Sequence, residues 1–237
     1  MKTLTGFRPT GRLTLGHYFA VVLPARKHDA TVLVADYHAP EAKDVEANLA
    51  VLARFGVTHV VRQKDVHDPA LFFRLLVLAK DGDLRRMTQY KAAGEGDRTA
   101  HLLTYPVLMA ADVAGYEAVY VGEDQAQHLE YARKLLRAHN RAHGTSYPVP
   151  EARVVAGRVM DLRDSSKKMS KSRPEGALFL DDSPADVRRK VRRAVTDEAG
   201  LANLTALYGH FVGGQVPTSN QELKELLAEA LVAALCG

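Results

Sequence analysis

Three lysines and four serines crowd into the thirteen residues from Asp164 to Gly176, DSSKKMSKSRPEG, with Met169 as the single large apolar side chain. The stretch is too polar to pack and too irregular in period for a helix. Its ammonium groups can neutralise the charge of a departing pyrophosphate, while hydroxyls and backbone amides hold such a loop in shape around a polyphosphate. A disordered linker is the plain alternative, but a linker has little use for Met169, which can anchor a closed loop. A second group of chemically able residues lies in GFRPTGRLTLGHYFA. There a strand runs through a Gly/Pro turn into a helix starting near Thr14, so Thr14 and His17 share a face of its first turn. Both can donate to phosphate oxygens, the helix start attracts anions, and Gly16 lets a flat ring approach the backbone. Read alone, Thr-Leu-Gly-His is a four-letter coincidence, with Gly16 a packing glycine and His17 a helix-start residue. A third group, RRKVRR, puts Arg188, Arg189, Lys190, Arg192 and Arg193 on one predicted helix, as a solvated face or a phosphate-binding one. His139 and His143 stand four apart on a helix, two possible metal ligands without an evident third.

Elements must position these residues. The runs TLTGF, ATVLVADYHA, THVVRQ and AVYVGE read as strands, and VEANLAVLARFG and PALFFRLLVLAK carry apolar groups at helical spacing between them. This alternation predicts an α/β chain with a Rossmann-like, doubly wound parallel sheet whose ligands bind at the carboxyl ends of the strands. Pro24 and Pro106 mark helix boundaries or kinks. Ser183 as N-cap and Pro184 at the first helical position open DDSPADVRRKVRRAV, after which the chain reads as helical. A boundary near Asp182 therefore divides a nucleotide-binding domain, 1–182, from a small helical appendage, 183–237. Hydrophobic residues at 46%, charged residues at 25% and no long apolar run or apolar leader exclude a membrane span and predict a cytoplasmic protein. With Cys236 as the single cysteine, no internal disulfide or thiolate cluster can form. The net charge of +4 favours polyanionic partners without proving one.

TLGH after the first strand and KMSKS past the last resemble, in that order on such a fold, the two signatures of class I aminoacyl-tRNA synthetases. GDLRRMTQYK, LLTYPVLMAAD, VGEDQAQHLEYARKLLRAHN and LDDSPADVRRKVRRAVTDE are similar to the tryptophanyl branch of bacterial type. The resemblance runs from Met1 to the neighbourhood of His210. It implies activation of tryptophan with magnesium-ATP to tryptophanyl-adenylate and pyrophosphate, then transfer to the terminal ribose of tRNA(Trp). It further implies a homodimer, while the single cysteine gives no expectation of a protein-bound structural metal. Carried onto this sequence, it makes Thr14, His17, Lys168 and Lys171 the catalytic residues. Gly16 and His17 would cradle the nucleotide with Arg8, Gly122 and Asp124, the last beside the ribose. Met169, Ser170 and Ser172 join the ATP-binding group. For tryptophan, Asp112 would accept the indole N–H, and Tyr105 and Gln125 would hold the α-amino group. Leu4, His38, Met109, Val119 and Val121 would line the pocket, with Gln89 as a polar site residue. Arg188, Arg189, Lys190, Arg192 and Arg193 would hold tRNA through its phosphates.

Three features depart from the family's pattern. Arg8 stands where glutamine is common near the substrate carboxylate, and Leu4 and Ala35 stand where bulkier residues are common around the indole. The helical region after AVTDE is short, with one amphipathic helix in ELKELLAEALVAALC. A shortened paralogue that makes an adenylate for another acceptor or amino acid, and a non-catalytic RNA-binding or regulatory module, stay open at this point.

Overall fold

Valine, leucine and threonine dominate four of the five segments that pair into a sheet in the computed structural model, which describes residues 1–155 and 159–237. The strands are β1 (Thr3–Phe7), β2 (Thr31–Val34), β3 (Val60–Arg62), β4 (Ala118–Val121) and β5 (Glu151–Val154). The helices are α1 (Leu15–His17), α2 (Leu23–His28), α3 (Val45–Arg54), α4 (Gln63–Val66), α5 (Pro69–Leu78) and α6 (Asp81–Leu84). There follow α7 (Thr88–Ala92), α8 (Ala100–Val113), α9 (Ala126–His143), α10 (Pro184–Arg192), α11 (Glu198–Phe211) and α12 (Asn220–Cys236).

All strand pairs are parallel, in the order β3-β2-β1-β4-β5. The chain winds outward from β1 in one direction to β3 and then returns to the other side of β1 for β4 and β5. The switch point thus falls between β1 and β4, whose carboxyl ends lead into Arg8 and Gly122. A parallel sheet buries both faces, and β2 and β4 are buried along their whole length.

Contacts divide the chain into two compact units. The first holds Met1–Thr10, Ala20–Lys43 and the stretch from Gly56 through β5, and so contains the entire sheet. Its core gathers Leu4, Leu33, Leu75, Val107, Val119 and Leu129, each worth about 1.5–3 kcal/mol relative to exposure. The second unit holds Gly11–Phe19, Asp44–Phe55 and the C-terminal stretch ending at Gly237. There Val187 and Val191 of α10 and the every-fourth-residue stripe Leu223, Leu227, Leu231 and Leu235 of α12 are buried, and α12 packs on both α10 and α11. Tyr18 and Phe19 join Phe55, His210 and Phe211 in a ring cluster that pins the residues just after His17 onto α11.

Several sequence expectations hold. Ser183 caps α10 by accepting from the Asp186 N–H, with Pro184 in its first turn, and α11 and α12 follow. Others need correction. The second predicted strand ends at Val34, and Asp36–His38 winds as a 3-10 turn, because Asp36 turns aside to pair with Arg62 at 2.7 Å. His38 therefore sits in a turn and not on a strand. The helix expected near Thr14 comes in three pieces, with Tyr18–Val22 as a π-helical turn between α1 and α2. Pro24 lies in the first positions of α2, whereas Pro106 is inside α8. The edge strand β5 escaped notice because Glu151 and Arg153 interrupt its apolar pattern.

Candidate active site

The second unit contains both signature segments. Thr14 pairs with Phe179 in an antiparallel bridge, with Leu15 N–H donating to the Leu178 carbonyl and Leu180 N–H to the Leu13 carbonyl, each at 2.8 Å. The chain around TLGH is thereby laced to the chain just past KMSKS. Gly11, with φ +60°, leaves room for the stem of Lys171, whose Cδ would lie 3.5 Å from a Cβ at that position. His17 Nδ1 accepts from the Thr14 N–H at 3.1 Å, which assigns the imidazole proton to Nε2. The Leu15 amide, at the helix start expected to attract anions, is spent on the Leu178 carbonyl. Gly16 is half-buried against Thr14 Oγ1.

The lysine- and serine-rich loop is a series of turns, as its composition predicts. Met169 is buried and donates its N–H to the Val159 carbonyl at 2.9 Å. Lys168 is exposed and bridges to Met160, Ser170 and Ser172 join through their hydroxyls at 3.0 Å, and Lys167 pairs with Asp164 at 2.6 Å. The hydrogen bond from Lys167 pulls the Asp164 carboxyl down to about 2. Beneath the loop lies Asp161, which is buried.

The residues expected at tryptophan all fall in the first unit, and most form one linked chain of groups. Asp112 accepts from Gln63 Nε2 at 2.8 Å on both oxygens and meets His38 Nε2 at 2.9 Å, with both side chains almost fully buried. The His38 ring packs on Tyr105 at 4.1 Å, and Tyr105 on His128 at 5.3 Å. His128 Nδ1 lies 3.2 Å from Gln125 Oε1, Gln125 Nε2 donates to Asp124 Oδ2 at 3.0 Å, and Gln89 Nε2 donates to the Asp124 carbonyl at 3.2 Å. Burial pushes the Tyr105 phenol up, so it stays protonated and able to donate. Burial pulls His128 down to about 4, with His38 adding to the effect, so His128 is neutral near pH 7. Leu4 pairs in register with Val119, and both join Val121 and the partly buried Met109 in the apolar cluster behind this chain. Ala35 is also buried. A side chain at Gly122 would meet Asp124 Oδ1 at 2.8 Å. Arg8 is exposed, and its charge is felt at Tyr105.

The basic helix does not present all five of its cations. Lys190 is buried, its ammonium bonded to Asp182 at 2.7 Å and the Ala177 carbonyl at 2.8 Å, which removes it from any RNA-facing surface. Arg188 pairs with Glu229 and Arg189 with Glu175 and Asp186, while Arg192 and Arg193 are exposed. The rings of His139 and His143 meet at 4.6 Å, tilted by 41°, with His139 Nδ1 on Thr145 Oγ1 at 3.0 Å. Among the described residues no group of three His, Cys, Asp or Glu could hold a metal, and no helix is long and apolar enough to cross a membrane.

A sequence profile of the family described as tRNA synthetases class I (W and Y) matches residues 1–232. The chain belongs to this family. Among its class I relatives, tryptophan–tRNA ligase 1 of Streptomyces coelicolor is 36% identical over 99% of this chain and 84% of its own length. Tryptophan–tRNA ligase of Clostridium perfringens is 38% identical over 85% and 68%. The crystal structure of tryptophanyl-tRNA synthetase from Mycoplasma pneumoniae superposes with a TM-score of 0.85 at 30% identity, covering 100% of this chain and 86% of that one. That of the Campylobacter jejuni synthetase, complexed with ADP and tryptophan, gives 0.74 at 26%, covering 100% and 86%. The Streptomyces alignment spans 281 positions against 237 residues here, leaving at least 44 positions of that synthetase without a counterpart inside the matched region. Gln63, fully buried, and Asp161 went unnoticed in the sequence. Gln63 is the polar residue immediately after β3, where a parallel sheet presents its ligands, and that position was the available signal.

Proposed function

We propose that this chain is a tryptophan–tRNA ligase, which joins tryptophan to ATP as tryptophanyl-adenylate and then transfers the amino acid to the terminal ribose of tRNA(Trp). The observation that carries the reading is the lacing of residues 13–15 to 178–180, with the Lys171 stem over Gly11. It gathers both synthetase signatures into one compact unit.

In the first step a tryptophan carboxylate oxygen attacks the α-phosphorus of magnesium-ATP, the P–O bond to pyrophosphate breaks, and the bond electrons leave with pyrophosphate. The nucleophile is already ionised, so no general base is needed and catalysis is positioning and charge stabilisation. His17, protonated on Nε2, and Thr14 are the donors for phosphate oxygens. Lys168 and Lys171 neutralise the leaving pyrophosphate, within a loop shaped by Ser170, Ser172 and buried Met169. Gly16 and Gly122 admit the nucleotide close to the backbone, Asp124 takes the ribose, and Arg8 pairs with a carboxylate or phosphate. Asp112 accepts the indole N–H. Tyr105 and Gln125 hold the α-amino group, supported by Gln89, and His38, Leu4, Met109, Val119 and Val121 shape the indole site.

Residues 1–182 would serve as the catalytic domain and 183–237 as a helical domain. Arg188, Arg189, Arg192 and Arg193 would meet tRNA phosphates, which adds affinity but no sequence information. A homodimer in the cytoplasm completes the reading.

The test is pyrophosphate exchange with each of the twenty amino acids, followed by tRNA charging. Tryptophan should drive exchange, and phenylalanine should be rejected by about 10⁴-fold, because it offers no N–H for the acceptor position of the buried Asp112 carboxylate that Gln63 and His38 leave open. Equal rates with both would overturn the assignment of Asp112. Salt-sensitive RNA binding without exchange would favour a non-catalytic RNA-binding module.

A further inference from the structure

The signature loop concentrates Arg163, Lys167, Lys168, Lys171 and Arg173 within eleven residues. So many like charges repel one another, and a loop of them left to itself would spread. At its base Asp161, almost fully buried, collects the ends of the loop. Its Oδ1 accepts the N–H groups of Arg163 at 2.8 Å and Asp164 at 3.1 Å. Its Oδ2 accepts Arg173 Nε at 2.9 Å. A second arm of the same guanidinium, Nη2, donates to the main-chain carbonyl of Lys168 at 2.7 Å. Gly176 is obligatory beside this carboxylate, since a Cβ there would overlap it.

We propose that Asp161 and Arg173 form a two-armed latch that positions Lys168 for the adenylation step. This inference rests on the ligase reading. Lys168 is held from one side by its bridge to Met160 and from the other by Arg173 on its carbonyl, so its Cα is fixed while its side chain extends from the exposed edge of the loop. A guanidinium suits the task because its planar fork carries two donors at fixed separation, one for the carboxylate and one for the carbonyl. Arg173 is therefore a positioning residue, and Asp161 holds it in register. Charge stabilisation at a leaving group depends on donors preorganised at short range. A lysine free to wander therefore weakens the transition state while leaving amino-acid binding untouched.

The experiment compares the full chain with Asp161→Asn, Arg173→Met, Arg173→Lys and the Asp161→Asn/Arg173→Met double variant. Tryptophan-dependent pyrophosphate exchange is measured alongside tryptophan binding by ligand fluorescence, which the absence of protein tryptophan makes clean. Asp161→Asn and Arg173→Met should each lower kcat by about 10- to 100-fold with tryptophan affinity within twofold. Arg173→Lys should recover part of the loss, and the double variant should fall no further than the worse single one, because the pair acts as a unit. No exchange by the wild-type chain would overturn the ligase reading and this proposal together. Wild-type exchange with both single variants within threefold of it, or a loss matched by lost tryptophan binding, would overturn the latch alone.

Discussion

Replacing Asp112 with asparagine removes one charge while keeping the side chain's shape. The carboxylate offers about four lone-pair positions, and three hydrogen bonds occupy it: Gln63 Nε2 on each oxygen at 2.8 Å and His38 Nε2 on Oδ2 at 2.9 Å, while His67 Nδ1 stands 3.9 Å from Oδ1, beyond hydrogen-bond distance. An indole N–H therefore has acceptor capacity left on Oδ1. Asparagine turns one oxygen into an NH2 group, which must face either the His38 N–H or the Gln63 amide, donor against donor. The hydrogen bond to a charged acceptor is worth about 1.5–3 kcal/mol, so kcat/KM for tryptophan should fall by about 10- to 150-fold. Leaving a buried donor unpaired should also lower stability by about 1–3 kcal/mol. The assay is exchange as a function of tryptophan concentration, with KM for ATP as the internal control and a thermal melt for stability. A variant within threefold in kcat/KM, with an unchanged melting temperature, would refute the reasoning.

Truncating Lys171 to alanine should lower exchange by a hundred- to a thousandfold, about 2–4 kcal/mol in the transition state, with tryptophan binding intact; equal loss of both would contradict its assignment. His128, held down to about 4 when folded against about 6.5 unfolded, contributes fully above pH 6.5. Below that the unfolded chain takes up the proton first, so stability should fall by about 2–3 kcal/mol as the pH drops toward 4. Urea melts of wild type and His128→Asn across that range check this, and identical pH slopes would contradict it. Lys190→Met leaves the buried carboxylate of Asp182 with Arg12 at 3.0 Å as its remaining cation and should cost about 1–3 kcal/mol in stability. By contrast, Arg192→Ala and Arg193→Ala should leave the melt unchanged and each reduce the salt slope of tRNA binding by about one.

Much of this architecture was legible because it rests on local signals. The four apolar strands, the Ser183–Pro184 helix start and the polar turns around Met169 each follow from residue type and spacing within a few positions. What escaped was set by contacts distant in sequence. The second strand stops at Val34 because Asp36 meets Arg62, and β5 exists because it adds to an edge that β4 already provides, in spite of its own charged residues. Lys190 looked like part of a basic face, and only the fold brings Asp182 and the Ala177 carbonyl around it. In the site, Asp112 stood out by its sequence context, whereas Gln63, which grips it, carries no motif and has only its place just after β3 to mark it. Asp161 is likewise an ordinary aspartate until Arg173 returns to it across a turn.

The proposed ligase activity requires that residues 14–17 and the Lys168–Lys171 loop close on one nucleotide and that Asp112 accepts the indole N–H. A crystal structure with tryptophan and a non-hydrolysable ATP analogue tests it most directly. The terminal phosphates are expected within about 3.2 Å of the Lys168 and Lys171 ammonium groups and the indole nitrogen about 2.9 Å from Asp112. A triphosphate bound away from residues 14–17, or an indole N–H turned from Asp112, would contradict it.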